Sequence, residues 1–417
     1  MSKKIIALIM LLCIVLTGCG KKIAVTEQDS RTEISLAWWG NDARTAYTLE
    51  AVRKFETKHP DIKVNVRYSE WSGYEARNKI QMISGRESDV MLVNFAWLSE
   101  FSKDGNGYYD LNELKDIVDI DAFDKDMLEY GMRAGKLNAI PIAMNAETMY
   151  IDKTIYDKYS LDIPETWDDY FEAAKVMSKD GIYPLSGVAK AIWMMVFSYG
   201  EQVTGKSFFS KTGELQITPD DFKVMIDFYD RLVDEKVIPA VEYYDRLSLE
   251  NGTYAGSIAW ISDAMNYYKD RIDKGNEIVV APYPHLDGMT SGSRWYAKPA
   301  TLYAISKNVE HPKEAAMLLE YLLNSEDVAL LQGTDKGVPL SDKARNILNE
   351  HDGLKGLQYD ASLQMEDNES IEPMNPAIED GGVIDMFIAA CDKVVFNKAT
   401  SDVAAKELYN ELTTPDK

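Results

Sequence analysis

The sequence predicts an α/β fold in two lobes, and three observations carry that expectation. Length is the first: 417 residues, 46% of them hydrophobic, exceed what one core ordinarily supports. The second is periodicity near the start, where strand-like and helix-like segments alternate as β-α-β-α-β, implying a mostly parallel sheet covered by helices. The third is that each of the first three strands ends in tryptophan beside a polar side chain. In such sheets ligands sit in the crevice outside the carboxyl ends of the strands, so this edge is the candidate site.

In chain order, Lys3 and Lys4 precede an apolar run from Ile5 to Leu16, too short to span a bilayer and of the form of a signal-peptide core. LTGC follows, Leu16 to Cys19, similar to the bacterial lipobox, in which the cysteine is lipidated and becomes the mature N-terminus. Residues 1–18 are therefore expected to be removed and 19–30 to form a lipid-anchored polar tether. That cut takes away Cys13, and lipid on Cys19 leaves Cys391 alone, so no intramolecular disulfide is expected. Loss of Lys3 and Lys4 moves the net charge from −23 to −25. Such acidity argues against a nucleic-acid partner, which needs Lys and Arg to neutralise phosphates.

ISLAWWGND, Ile34 to Asp42, reads as a buried strand ending in two tryptophans that must face opposite ways. Helical spacing of Leu49, Val52 and Phe55 follows until Pro60. IKVNVRY alternates, YEARNKIQMISG is helical to Gly85, and DVMLVN is a strand buried on both faces. The three strand ends bring together Trp38, Trp39, Asn41 and Asp42; Glu70, Trp71 and Tyr74; and Asn94 and Trp97. Downstream, KLNAIPIAMNAETMYIDK contains two short apolar strands, and Thr166 with Asp169 fits a capping box at a helix start. Thr218 caps a second helix with Pro219 at its first position. SIAWISD, EIVVAPYP and TLYAIS read as strands, and the chain beyond His311 as largely helical.

This order of features resembles the extracellular solute-binding proteins of bacterial ABC transporters, the carbohydrate-binding family 1. The matching pieces are the lipobox, the early strand ending in Trp with its helix to KHPDIKV, DVMLVN, and KLNAIPIAMNAETMYIDKTIYDKYSLDIPETWDDY. APYPHLDG and VEHPKEAAMLLEYLLNSEDVALL also match. Leu137 departs from the family's aromatic, and Ile151-Asp152-Lys153 from its Tyr-Asn-Lys. The resemblance implies a periplasmic-binding-protein-like fold, two lobes joined by crossing segments with a ligand cleft between them. Lobe 1 would hold 31–143 and 298–338, and lobe 2 would hold 144–297 and 339–417. It also implies a monomer on the outer face of the cytoplasmic membrane that delivers a carbohydrate to ABC permease subunits, with no catalytic role, cofactor or metal.

Tryptophan beside carboxylate suits a sugar, whose rings have an apolar C–H face and a rim of hydroxyls that donate and accept. The expected platforms are Trp39, Trp71, Trp97, Trp193, Trp260, Trp295 and Tyr296, with Tyr74 beside them. Asn41, Asp42, Glu70, Asn94, Asn145 and Asp263 are the expected polar contacts, carboxylates making the stronger bonds. Trp39 is expected to stack on sugar and Trp38 to pack beneath. Trp167, in the first turn of a capped helix, reads as structural.

Three other motifs carry less. GEQVTGKS, Gly200 to Ser207, matches a phosphate-binding loop in letters, but strand-like alternation and a turn follow it instead of a helix. DIDAFDKDMLE lacks the glycine and spacing of a calcium loop, and the four histidines show no zinc spacing. A secreted glycoside-active enzyme remains the main alternative, since carboxylates among aromatics also serve glycosidases. A binder of another small solute such as a polyamine is the second.

Overall fold

The computed structural model describes residues 30–210 and 214–414. The signal segment and Cys19 lie outside the described residues. No helix among the described residues is long and apolar enough to cross a membrane.

The first third follows the expected alternation. Strand β1 (Thr32–Trp39) leads into helix α1 (Asp42–Lys58), strand β2 (Ile62–Ser69), helix α2 (Trp71–Ser84), strand β3 (Val90–Val93) and helix α3 (Phe95–Phe101). Asn41 starts α1 by accepting from the Arg44 amide at 2.9 Å, and Asn94 starts α3 by accepting from Ala96 N–H at 2.9 Å. α1 stops at His59, because the residue before Pro60 is pushed out of helical conformation. α2 ends on Gly85 in the left-handed region, which glycine adopts without a Cβ clash.

β2, β1 and β3 lie parallel in that order, so their carboxyl ends share one edge. Beyond β3 the sheet turns antiparallel through strand β4 (Ile140–Asp152), strand β5 (Gly256–Trp260), strand β6 (Ile278–Ala281) and strand β7 (Tyr296–Ile305). The mostly parallel sheet read from the sequence is thus parallel in its first three strands and, beyond them, only where the two-residue strand Glu372–Pro373 pairs with the start of β7. In place of the two short apolar strands expected in KLNAIPIAMNAETMYIDK stand a two-residue strand, Lys136–Leu137, and a 13-residue strand, β4, buried throughout. Its first half pairs with β7 and its second half with β5 and β6, so one unbroken strand passes from one hydrophobic core to the other.

Two large cores flank this crossing. One gathers Ile34, Leu36, Trp38, Phe55, Leu92, Tyr303 and the helix Pro312–Asn324. The other gathers Met149, Trp167, Trp193, Phe197, Met225, Tyr229, Trp295, Phe387 and Leu408. Segment 341–350, expected with the second lobe, bonds to elements of the first core: Ser341 Oγ to Asn324 at 2.5 Å, and Lys343 Nζ to Asp119 at 2.7 Å. GEQVTGKS covers the last turn of the helix Ala189–Thr204 and the loop after it, not a strand feeding a helix, and Lys206 within it pairs with Asp221 at 2.7 Å.

Candidate functional site

The carboxyl ends of β1, β2 and β3 form one wall of a cleft of about 450 Å³. That size lies within the range of small-ligand sites. This wall carries Trp39, Gly40, Asn41, Arg44, Glu70, Trp71 and Asn94. Lys190, Trp260, Ser262, Asp263, Met265 and Asn266 face it, while Asn145 on β4 and Lys298 and Thr301 on β7 form the floor. Ala300, Asp335, Lys336, Gln358 and Glu379 complete the lining.

The strand pleat separates the two adjacent tryptophans. Trp38 is fully buried and stacks on Tyr68 with centroids 4.9 Å apart, whereas Trp39 is half-buried and lines the cleft. Trp71, 38% exposed, meets Trp39 edge to face at 5.0 Å and 70°. Behind them, Trp97 stacks on Trp71 at 5.8 Å and on Tyr74 at 6.1 Å. Tyr74 donates its hydroxyl to the Leu92 carbonyl at 2.7 Å. The result is a two-layer aromatic wall, with a front of Trp39 and Trp71 open to the cleft and a buried backing of Trp97 and Tyr74.

Of the residues expected from sequence, Trp39, Asn41, Glu70, Trp71, Asn94, Asn145, Trp260 and Asp263 line the cleft. The others stand elsewhere, each for a physical reason. Asp42 lies exposed in the first turn of α1, where its charge favours the helix N-terminus. Tyr74 and Trp97 are the buried backing just described. Trp193 is buried against Phe387 and donates Nε1–H to the Ile378 carbonyl at 2.8 Å. Trp295 is buried on Trp167 and bonds the Pro284 carbonyl at 3.1 Å. Tyr296 is buried with its hydroxyl on the Glu201 carboxyl. Trp167 is buried too, its Nε1–H on Gln202 at 2.8 Å.

The cations of the cleft and the carboxylates that pair with them went unread in the sequence. Glu379 bridges two lysines, Lys298 and, at 3.1 Å, Lys190. Burial alone would raise its carboxyl, but the two ammonium groups outweigh that and hold it below the usual carboxylate value. Lys298 also lies over Trp260, 4.6 Å from the ring centroid. Arg44 pairs with Asp335 at 2.9 Å, and Tyr47 donates to the same carboxylate at 2.8 Å. Burial raises the Asp263 carboxyl. It also raises that of Glu147, in the strand beside Trp260, with Asp263 adding to the effect. A signal for Lys298 was present, since a lysine inside the apolar strand YAKPATLYAI is buried only with a partner. Arg44 and Asp335, 291 residues apart, gave none.

Asn145 and Ser262 bond each other twice, at 3.1 and 3.2 Å, and Gln358 donates to the Ser262 carbonyl at 3.0 Å, which fixes the loop after β5 against the crossing strand. Among the described residues, no group of three or more His, Cys, Asp or Glu is arranged to hold a metal. The arrangement offers aromatic faces on one side and fixed donors and acceptors of both charges around them. It is suited to holding a polyhydroxylated ring.

Known proteins share this architecture. A family model described as bacterial extracellular solute-binding protein matches residues 39–329. A periplasmic oligogalacturonide-binding protein from Yersinia enterocolitica, solved with saturated digalacturonic acid, is 29% identical with a TM-score of 0.83, covering 91% of this chain and 98% of that one. A periplasmic solute-binding protein from Pectobacterium atrosepticum is 30% identical with a TM-score of 0.84, covering 91% and 97%. An arabinooligosaccharide-binding protein from Halalkalibacterium halodurans is 23% identical over 66% of this chain and 64% of its own length.

Proposed function

Because the chain belongs to the bacterial extracellular solute-binding protein family, whose members bind a substrate and do not transform it, we propose that it captures an oligosaccharide and delivers it to an ABC permease. The observation that carries this reading is the front of Trp39 and Trp71, open to the cleft and backed by a second aromatic layer. An indole face backed by a second aromatic layer covers the C–H face of a pyranose while the other front indole, turned 70° to it, flanks the ring, and Asn145, Asp263 and Glu70 reach the hydroxyl rim. Oligosaccharide binding by the Yersinia and Halalkalibacterium relatives supports the choice of ligand.

In this reading the lobes are about 31–143 with 298–338 and 341–350, and 144–297 with the remainder of 339–417, supported by the two cores. Segment 341–350 goes with the first lobe because of its bonds there. Ligand would bridge the lobes across β4 and β7, and the closed form is what a permease would recognise. LTGC supports a lipid on Cys19 and hence tethering outside the cytoplasmic membrane. Mass spectrometry of the membrane-extracted protein tests the anchor: a diacylglyceryl mass on Cys19 is expected, and an unmodified or absent Cys19 overturns it.

A panel of neutral and acidic oligosaccharides, screened by thermal shift, tests the ligand class, since a ligand that binds only the native state raises the melting temperature. A shift with polyamines and with no sugar would replace this reading by that of a cation binder.

A further inference from the structure

We propose that Lys336 is the receptor for a carboxylate on the ligand, so that the oligosaccharide is an acidic one built of uronate units. This rests on the oligosaccharide reading above and adds to it the charge of the sugar. Four cations line the cleft: Arg44, Lys190, Lys298 and Lys336. Arg44 has Asp335, and Lys190 and Lys298 share Glu379. Lys336 is only 3% exposed, yet no carboxylate among the described residues lies within 4.0 Å of its ammonium group. Its hydrogen-bond partner is the neutral Tyr303 hydroxyl at 3.1 Å, and the faces of Tyr303 and Tyr47 lie 5.3 and 5.6 Å from Nζ. An ammonium has three donors, so two are left for a ligand.

The surroundings hold this lysine in place. Asp335, its neighbour in the chain, is tied to α1 by Arg44 and Tyr47, and the Arg44 guanidinium also donates to the Asp335 carbonyl at 3.1 Å. Gly337 has φ of +100°, and a Cβ there would meet the Ala143 Cβ at 2.6 Å, so the loop is seated directly on the crossing strand. A buried cation without an acid partner is costly, and it sheds its proton unless an anion arrives. Burial, with Arg44 adding repulsion and Asp335 opposing it, pulls the Lys336 ammonium down to about 7. A uronate carboxylate supplies the missing anion, and its binding draws a proton onto Lys336 at neutral pH. The Glu379 cluster, two lysines to one carboxylate, offers excess positive charge to a second uronate.

The test is calorimetry of the whole protein with digalacturonate and with its dimethyl ester, which has the same ring surfaces without charge, in buffers of differing ionisation enthalpy. Expected are binding of the acid at least about tenfold tighter than of the ester and uptake of about half a proton at pH 7, rising towards one at pH 8.5. K336M should weaken the acid about 10- to 100-fold and abolish the uptake. K336R, permanently charged, should retain acid binding without it. Equal binding of acid and ester, unchanged binding in K336M, or no proton uptake by the native protein overturns the proposal. The proton measurement decides even where K336M does not fold. Binding of neutral oligosaccharides alone overturns this inference and leaves oligosaccharide capture standing, whereas binding of no sugar of either kind sinks both.

Discussion

Trp71→Ala separates a binding platform from a packing residue, because Trp71 is the front aromatic with the larger known exposed surface. At 38% exposure, a tryptophan of roughly 250 Å² leaves roughly 95 Å² for a sugar face to cover. At about 25 cal/mol per Å² this is about 2.4 kcal/mol, or a factor of about 60 in Kd. Binding also orders the ligand, so a loss between about 10- and 60-fold is expected. Stability should change much less. Deleting the indole removes the 5.0 Å edge contact with Trp39 and the 5.8 Å stack on Trp97, each worth about 0.5–1.5 kcal/mol, while the Trp97 and Tyr74 layer stays packed below. Calorimetry with the tightest sugar of the panel, run beside thermal denaturation, reads both quantities. An unchanged Kd in a folded variant would refute the platform argument, and so would a fall in affinity matched by collapse of the melting transition.

Three further substitutions probe the surrounding frame. Trp193→Ala, which empties a buried site and leaves the Ile378 carbonyl unpaired, should cost about 3–5 kcal/mol of stability in chemical denaturation, and a loss below about 1 kcal/mol would contradict its core assignment. Gly337→Ala forces a side chain into a left-handed position against Ala143 and should destabilise the protein by about 1–3 kcal/mol while weakening ligand binding through displacement of Asp335 and Lys336. Wild-type stability and affinity in that variant would refute the seating of the loop. Glu379 is held below its usual value in the folded state, so the unfolded chain binds its proton more readily. Its contribution is therefore full above the ordinary value of 4.5 and is lost as pH falls through and below it. Glu379→Gln should flatten the acid limb of a denaturation profile, and an unchanged limb would show that the lysine bridge contributes nothing there.

How far the sequence could be read follows from the range of the interactions involved. β1, β2 and β3 with their strand ends were legible because alternation, helix caps and breaks are local, and parallel pairing then aligns the ends with no further information. The opposite facings of Trp38 and Trp39 follow from the pleat alone. Trp193, Trp295 and Tyr296 were assigned to the site on residue type, but burial depends on remote partners. Trp193 bonds Ile378, 185 residues on, and Tyr296 bonds Glu201, 95 residues back. Antiparallel pairing of β7 between β3 and β4 is equally non-local. The cations stayed hidden because a strongly negative total charge says nothing of local placement, and Lys190, Lys298 and Glu379 meet only once the chain has folded.

The proposed function requires that the cleft hold an oligosaccharide without transforming it. Titrating the protein with the oligosaccharide panel by calorimetry, and recovering each ligand for chromatography afterwards, tests both halves together. Saturable binding at one site with the sugar returned intact is the expected result; a shortened or altered sugar in the recovered ligand, or no binding anywhere in the panel, would contradict it.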